Sequence, residues 1–213
     1  MKEYVCILMD PPWAERGGGK CKRGADKHYQ VMSTGQILEV ILGSGCFTPA
    51  ADAHLWMWAT NNYLADALWL YGELGFRYVT NFPWVKGSIE EQGGVKIYKP
   101  ARMGIGQYAR GCHELLLFGV RGSGFAASST YPDGHPNAGK MRKDVRSDWL
   151  VGVPTVSEES KILHSRKPPE QYRLIDARTK AGPRLEMFAR TRHSEAWDVW
   201  GNEAPLRPEP QLR

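Results

Sequence analysis

The chain has 213 residues, 42% of them hydrophobic, and a formal net charge of +5. This length and apolar content predict one folded domain with a buried core, and they exclude a disordered chain. The longest apolar runs fall short of the roughly 20 residues that a membrane helix needs, so we expect a cytoplasmic protein with no membrane partner.

The first predicted element is a strand over residues 4–9, which leads directly into Asp10-Pro11-Pro12-Trp13. An apolar run without polar interruption is typical of a strand that is buried on both faces of a parallel sheet. Ligands of open α/β sheets bind beyond the carboxyl ends of the strands, so Asp10 is a candidate functional residue. The alternative interpretation of these four residues is an ordinary turn after a strand.

Predicted helices and strands then alternate. Residues 14–33 are rich in glycine and basic residues and predict a loop. Ser33-Thr34 is a candidate cap for a helix whose apolar face is formed by Ile37, Leu38, Ile41 and Leu42. Residues 53–59 predict a second buried strand, and residues 63–74 predict a helix that ends at Gly75.

The second half of the chain continues this pattern. Strands are predicted over residues 76–79 and 81–85, 115–120, 184–189 and, as a short strand and turn, 197–202. A helix is predicted from Lys167 to Asp176, with a proline in its first turn. Alternating strands and helices predict an α/β fold with a doubly wound, mostly parallel sheet flanked by helices.

Two long segments, residues 87–111 and 121–154, show no clear periodicity and are predicted as loops. Loops of this length inside a compact domain are usually functional, so they are candidates for a lid and for target recognition. We predict one domain over residues 1–204 and a flexible, proline-rich tail over residues 205–213. The cysteines and histidines show no metal-ligand spacing, and no metal site is predicted.

The chemistry of the Asp-Pro-Pro-Trp turn suits an exocyclic amine of a planar base. Asp10 can accept one N–H of such an amine, and a backbone carbonyl of Pro11 or Pro12 can accept the other. These two hydrogen bonds draw the nitrogen toward a tetrahedral geometry and localise its lone pair toward an electrophilic methyl group. Trp13 can stack on the base, a contact worth roughly 1–3 kcal/mol in other sites.

Taken together, the motifs resemble the MT-A70 family of S-adenosylmethionine-dependent adenine methyltransferases, particularly its short bacterial and phage members. Seven segments carry the resemblance in the same order along the chain. They are the D-P-P-W box at 10–13, H-Y-x-x-M-S at 28–33, W-V-K at 84–86, R-G-x-x-E-L-L-L-F-G at 110–119, H-S-R-K-P at 164–168, L-E-x-F-A-R at 185–190 and W-D-x-W-G-N-E at 197–203.

This resemblance implies a Rossmann-like class I methyltransferase fold with a permuted motif order, in which the catalytic box precedes the cofactor-binding strand. It implies catalytic roles for the box, residues 10–13. It implies that S-adenosyl-L-methionine is bound by Asp10, Lys167, Arg190, Asn202 and Glu203. It implies substrate contacts by Trp13, Tyr29, Trp84, Lys86, Arg110 and Glu114. For Glu186 we expect a basic partner.

The expected activity is methyl transfer to the 6-amino group of adenine in DNA. RNA is the nearest alternative substrate, because nothing in the sequence distinguishes a 2′-hydroxyl from a deoxyribose. A catalytically silent, nucleic-acid-binding partner subunit is the alternative from another class, although such a chain is expected to lack some residues of the box or of the cofactor set. A homodimer, or a complex with a partner subunit, is the expected alternative to a monomer.

Overall fold

A computed structural model describes residues 2–14, 31–101, 111–123, 136, 138, 140, 149–153, 157–158, 161–162 and 166–202. The described elements are β1 (Tyr4–Met9), α1 (Thr34–Gly43), β2 (Pro49–Ala59), α2 (Leu64–Glu73), β3 (Arg77–Val85), β4 (Gly87–Gln92), β5 (Val95–Pro100), β6 (His113–Arg121), β7 (Ser157–Glu158), β8 (Lys161–Ile162), α3 (Glu170–Arg178), β9 (Arg184–Met187) and β10 (Trp197–Trp200). A short 3₁₀ turn, Asn61–Tyr63, precedes α2. None of the helices in these ranges is long and apolar enough to cross a bilayer.

Six strands form the central sheet, in the order β10-β9-β1-β2-β6-β3. The pairs β10–β9, β9–β1 and β1–β2 are parallel, whereas β6 runs antiparallel to both of its neighbours. This confirms a mixed α/β fold with a mainly parallel sheet; the permuted motif order stays a prediction. Because β6 is reversed, its first residues lie at the same edge of the sheet as the last residues of β2 and β3.

The strand β1 is buried on both faces, as its apolar run predicts. Ile7 and Met9 pack against the core that contains α1 and α2. Cys6 and Leu8 pack on the opposite face with residues of α3. Helices therefore cover both sides of β1, and its carboxyl end delivers Asp10 to the edge of the sheet.

The helices α1 and α2 begin and end close to the predicted positions. Ser33 caps α1 through a capping box with Gln36, because each of the two residues bonds to the backbone N–H of the other. Gly75 follows α2 with φ of 75°, a conformation that favours glycine. The predicted apolar face of α1 was wrong at Leu42, which is 58% exposed. Leu68 of α2 is also exposed, whereas Leu70 of the same helix is buried in the core.

Residues 87–100 form a β-hairpin, so the prediction of an irregular loop over this part of 87–111 was wrong. Strands β4 and β5 are antiparallel: Gln92 pairs with Val95 at one end of the hairpin, and Gly87 pairs with Pro100 at the other. The turn between them is Gly93-Gly94, with φ of 60° and 78°. Two glycines between two short strands are a hairpin signal, and this signal explains the difference from the predicted loop.

Gly119 lies where β6 passes close to α2. A Cβ at this position would lie 2.6 Å from Cδ1 of Tyr71 and 2.8 Å from the carbonyl oxygen of Arg77. We expect Gly119→Ala to lower the free energy of unfolding by about 1–3 kcal/mol, because the Tyr71 ring is buried and has little room to move. Urea denaturation measures this difference.

Gly43→Ala is the matched control for this prediction. Gly43 is the last residue of α1, and a Cβ there meets nothing within 4 Å. Alanine has a higher helix propensity than glycine. The free energy of unfolding of this variant is therefore expected to equal that of the wild type or to exceed it by up to about 1 kcal/mol. Equal stability of the two alanine variants would contradict the predicted clash.

Candidate active site

A cavity of about 260 Å³ opens beside the carboxyl ends of β1 and β9 and the start of α3. Its volume is close to the lower end of the roughly 300–1,000 Å³ that is usual for ligand sites. The described residues that line it include Asp10, Trp58, Lys167, Tyr172, Glu186 and Arg190. Three of the predicted cofactor residues therefore meet at one cavity, although 157 positions separate Asp10 from Lys167.

Lys167 joins two carboxylates at this site. Its Nζ lies 2.8 Å from Oδ2 of Asp10 and 3.3 Å from Oε2 of Glu114. The other carboxylate oxygen of Glu114 lies 2.5 Å from Nζ of Lys86. The ring of Trp58 lies beneath Lys167, with 5.5 Å from the ammonium to the ring centroid. Four charged side chains, two of each sign, thus form a continuous network.

The network sets the protonation states of its members. Burial alone would raise the pKa of Glu114, but Lys167 and Lys86 together lower it to about 2. Burial alone would lower the pKa of Lys167, but Asp10 and Glu114 raise it above its ordinary value. Burial raises the pKa of Asp10, and Lys167 opposes that shift. At neutral pH, Lys167 is therefore charged and Glu114 is ionised.

The lowered pKa of Glu114 predicts a pH-dependent contribution to stability. The ionised form is favoured by folding, so this contribution is present above pH 4.5 and is lost as the pH falls toward 2. Glu114→Gln is expected to lower the free energy of unfolding by about 3 kcal/mol at pH 7 and by about half of that or less at pH 3. Urea denaturation of both proteins at the two pH values measures the change.

Glu90→Gln serves as the control for Glu114→Gln. Glu90 pairs with Lys99 at 2.5 Å, but both side chains are exposed in the hairpin. Exposed ion pairs contribute about 0–1 kcal/mol to stability. Glu90→Gln is therefore expected to lower the free energy of unfolding by no more than this amount at either pH. A stability cost of Glu114→Gln that is the same at pH 3 as at pH 7 would contradict the ionic explanation.

The turn after Asp10 is held by backbone hydrogen bonds. The carbonyl oxygen of Pro11 accepts from the amide of Trp13 at 2.8 Å, and that of Pro12 accepts from the amide of Met32 at 2.9 Å. The Asp10 side chain remains 37% exposed. A carbonyl oxygen has two lone pairs, so each proline carbonyl can accept a second hydrogen bond from a ligand.

The MT-A70 family model matches residues 4–203, which include the sheet, the box and the charge network. The chain belongs to the MT-A70 family. It is therefore a member of a family of S-adenosylmethionine-dependent methyltransferases. A curated relative, the Type II methyltransferase M.MunI from a Mycoplasma species, is 26% identical, and the alignment covers 96% of this chain and 79% of that protein.

In this MT-A70 protein, the two tryptophans that we predicted as substrate contacts lie in the core. Trp13 is 4% exposed, donates from Nε1 to the carbonyl oxygen of Trp58 at 2.9 Å, and stacks on Tyr63. Trp84 is 1% exposed and donates to the carbonyl oxygen of Val153. Both rings are buried in this structure, Trp13 behind the Asp10 turn, and their contacts with a substrate base stay a prediction.

The other predicted site residues divide into three groups. Lys86 and Glu114 belong to the charge network, and Asn202 lies exposed just after β10. The strand β10 pairs with β9, and the amide of Ala189 bonds to the carbonyl oxygen of Trp200, which brings Asn202 near the segment that carries Arg190. Tyr29, Arg110 and Glu203 lie outside the described residues.

The pair of Tyr172 and Glu186 was not predicted from the sequence. We expected a basic partner for Glu186, but its carboxylate accepts a hydrogen bond from the hydroxyl of Tyr172 at 2.9 Å. Both residues line the cavity. A glutamate within the apolar β9 segment was the signal that could have identified this residue, because a buried carboxylate requires a polar partner.

Proposed function

We propose that this protein transfers a methyl group from S-adenosylmethionine to the 6-amino group of adenine in DNA. The observation that carries the proposal is the ion pair between Asp10 and Lys167 in the cavity at the edge of the sheet. Family membership and the relative that is named a Type II methyltransferase support both the reaction and DNA as the substrate.

The chemistry of the cavity residues fits this cofactor. S-adenosylmethionine carries a carboxylate, an ammonium, a sulfonium and ribose hydroxyls. Lys167 and Arg190 offer positive groups and Asp10 and Glu186 offer carboxyl groups around the same cavity. In the proposed complex, Lys167 binds the carboxylate of the cofactor, while Arg190 and Asn202 contact the ribose. When bound, S-adenosylmethionine supplies an electrophilic methyl group.

The residues of the Asp10 turn position the amine in the proposed reaction. Asp10 accepts one N–H of the adenine amine, and the carbonyl oxygen of Pro11 or Pro12 accepts the other. Lys167 holds the carboxylate of Asp10 in place through the 2.8 Å contact. Orientation of this kind can supply about 7–11 kcal/mol of the barrier reduction, and the methylated amine releases its proton without a strong base.

Adenine in a duplex must leave the stack to reach a cavity of this kind, since its amino group is paired with thymine. The hairpin of β4 and β5 follows Lys86 directly and is a candidate for contact with the strand around the flipped base. We propose short or low sequence specificity for this chain, because the hairpin and residues 121–154 are its two substantial candidates for target recognition.

The experiment that tests the proposal measures transfer of labelled methyl groups to DNA and RNA in parallel. The products are then mapped by single-molecule sequencing. We expect N6-methyladenine in DNA at short sites. Label in RNA alone would replace DNA with RNA as the substrate. No label in either nucleic acid, with a folded protein, would refute the enzymatic assignment, and one long recognition site would refute the low specificity.

A further inference from the structure

Gln171 is a buried polar residue in the wall of the cavity. It is the second residue of α3, and it lines the cavity although only 4% of its surface is exposed. Leu174 and Ile175, three and four positions later, are also buried, so Gln171 begins the core-facing side of α3. An apolar side chain is typical of such a position, because a buried amide needs partners for its polar atoms. A glutamine here therefore points to a partner at each end of the amide.

Trp58 fixes the orientation of this amide. Nε1 of Trp58 donates to Oε1 of Gln171 at 2.7 Å. An indole N–H can only donate, so the oxygen of the amide must face the indole and the NH₂ group must point away from it. Within the described part of the chain, the amide nitrogen of Gln171 has no hydrogen-bond partner. Because Gln171 lines the cavity, this NH₂ group is available to an acceptor that enters there.

Gln171 and Lys167 lie at the same indole ring. The ammonium of Lys167 is 5.5 Å from the centroid of the Trp58 ring, and Gln171 accepts from the nitrogen of that ring. Both residues line the cavity. The cavity thus offers a cation and a neutral N–H donor around one tryptophan. A carboxylate of a ligand suits this pair, because its two oxygens accept hydrogen bonds from separate donors.

We propose that Gln171 is a specificity-determining residue of the cofactor site, whose amide donates a hydrogen bond to the carboxylate of S-adenosylmethionine beside Lys167. The inference rests on the proposed function, which already pairs Lys167 with that carboxylate. Lys167 supplies the opposite charge, and Gln171 supplies a directed donor that a ligand without a carboxylate cannot use. The NH₂ group of Gln171 gains its missing partner as the ligand binds.

Calorimetric titration of the full chain with S-adenosylmethionine and with decarboxylated S-adenosylmethionine tests this contact. The two ligands differ only in the carboxylate. Gln171→Met keeps a side chain of similar length and removes the amide. We expect this variant to bind S-adenosylmethionine about 10- to 100-fold more weakly than the wild type, the usual range for loss of a hydrogen bond to a charged group. Its affinity for the decarboxylated ligand is expected to stay within about threefold of the wild-type value.

Thr179→Val is the matched control. Thr179 directly follows α3 and accepts from Nε1 of Trp56 at 3.4 Å. Like Gln171→Met, this variant therefore removes a hydrogen-bond acceptor of a buried tryptophan of β2. Thr179 is not among the described residues that line the cavity. We expect Thr179→Val to lower the melting temperature and to keep the wild-type affinity for both ligands.

Trp58→Phe separates a direct contact of Gln171 from an effect through Trp58. Gln171→Met leaves the indole N–H without its acceptor and so disturbs the ring beneath Lys167. In a Trp58→Phe background no indole N–H remains, and an aromatic ring is kept beside Lys167. We expect Gln171→Met to weaken binding of S-adenosylmethionine in this background by the same about 10- to 100-fold. A loss that disappears in this background would overturn the inference.

The double variant also guards against misfolding of Gln171→Met. It replaces both partners of a buried hydrogen bond with apolar groups, which is less destabilising than leaving one partner unpaired. Its affinities for the two ligands are compared with those of Trp58→Phe alone.

Two further results would overturn the inference. One is equal weakening of both ligands by Gln171→Met, because a contact with the carboxylate cannot affect a ligand that lacks it. The other is an unchanged affinity for S-adenosylmethionine. Either result leaves the proposed methyltransferase intact, since the wild type still binds its cofactor. Absence of S-adenosylmethionine binding by the wild type would overturn both the inference and the proposed function.

Discussion

Replacing Lys167 with methionine is expected to lower the affinity for S-adenosylmethionine by about 10- to 100-fold and to destabilise the fold. The affinity falls because the ammonium is the proposed partner of the cofactor carboxylate, a charged contact of about 1.5–3 kcal/mol. Stability falls by about 3–5 kcal/mol because Glu114 and Asp10 both lose the cation between them, and the Lys167 side chain is only 11% exposed. Calorimetry and urea denaturation measure the two effects.

Lys2→Met is the matched control. Lys2 pairs with Asp198 at 2.6 Å, but its side chain is 50% exposed. The variant is therefore expected to lower the free energy of unfolding by no more than about 1 kcal/mol and to keep the wild-type affinity for the cofactor. The double variant Lys167→Met, Glu114→Gln separates the two effects of Lys167. It is expected to recover part of the lost stability, because Glu114 is no longer an uncompensated charge, and to recover none of the affinity. Recovery of affinity would contradict a direct contact between Lys167 and the cofactor.

Asp10→Asn is expected to lower kcat for methyl transfer by about 10²–10³, the usual cost of removing one polar contact that acts in the transition state. The asparagine keeps the size of the side chain and an oxygen that can accept from Lys167, so the fold is expected to be retained. What is lost is the negative charge of the group that accepts a hydrogen bond from the adenine amine. Single-turnover assays at saturating cofactor and DNA separate this chemical step from binding.

Asp198→Asn is the matched control for Asp10→Asn, because it also removes a carboxylate that is paired with a lysine. Asp198 lies in β10, where it accepts from Lys2 and from the hydroxyl of Tyr4. This variant is expected to leave kcat unchanged. If Asp10→Asn retained the wild-type rate of methyl transfer, the carboxylate would have no role in catalysis and the proposed positioning of the amine would be wrong.

Local patterns determined most of the elements. The apolar run before Asp10 identified β1, Ser33 and Gly75 marked the start of α1 and the end of α2, and the box at the end of β1 pointed to the edge where the cavity lies. These features depend on neighbours within a few residues along the chain, which is why the sequence carries them. The family followed from ordered motifs and is confirmed by the family model.

Only the tertiary structure decided which side chains meet. The reversal of β6 brings Glu114 to Lys167, and the parallel pairing of β1 with β9 places Glu186 beside Leu8, close to Asp10. Packing against Tyr63 and a hydrogen bond to Trp58 place the ring of Trp13, a predicted base contact, in the core. Such contacts depend on strand order and direction, because the residues involved are distant in the chain and no local propensity specifies how they pair.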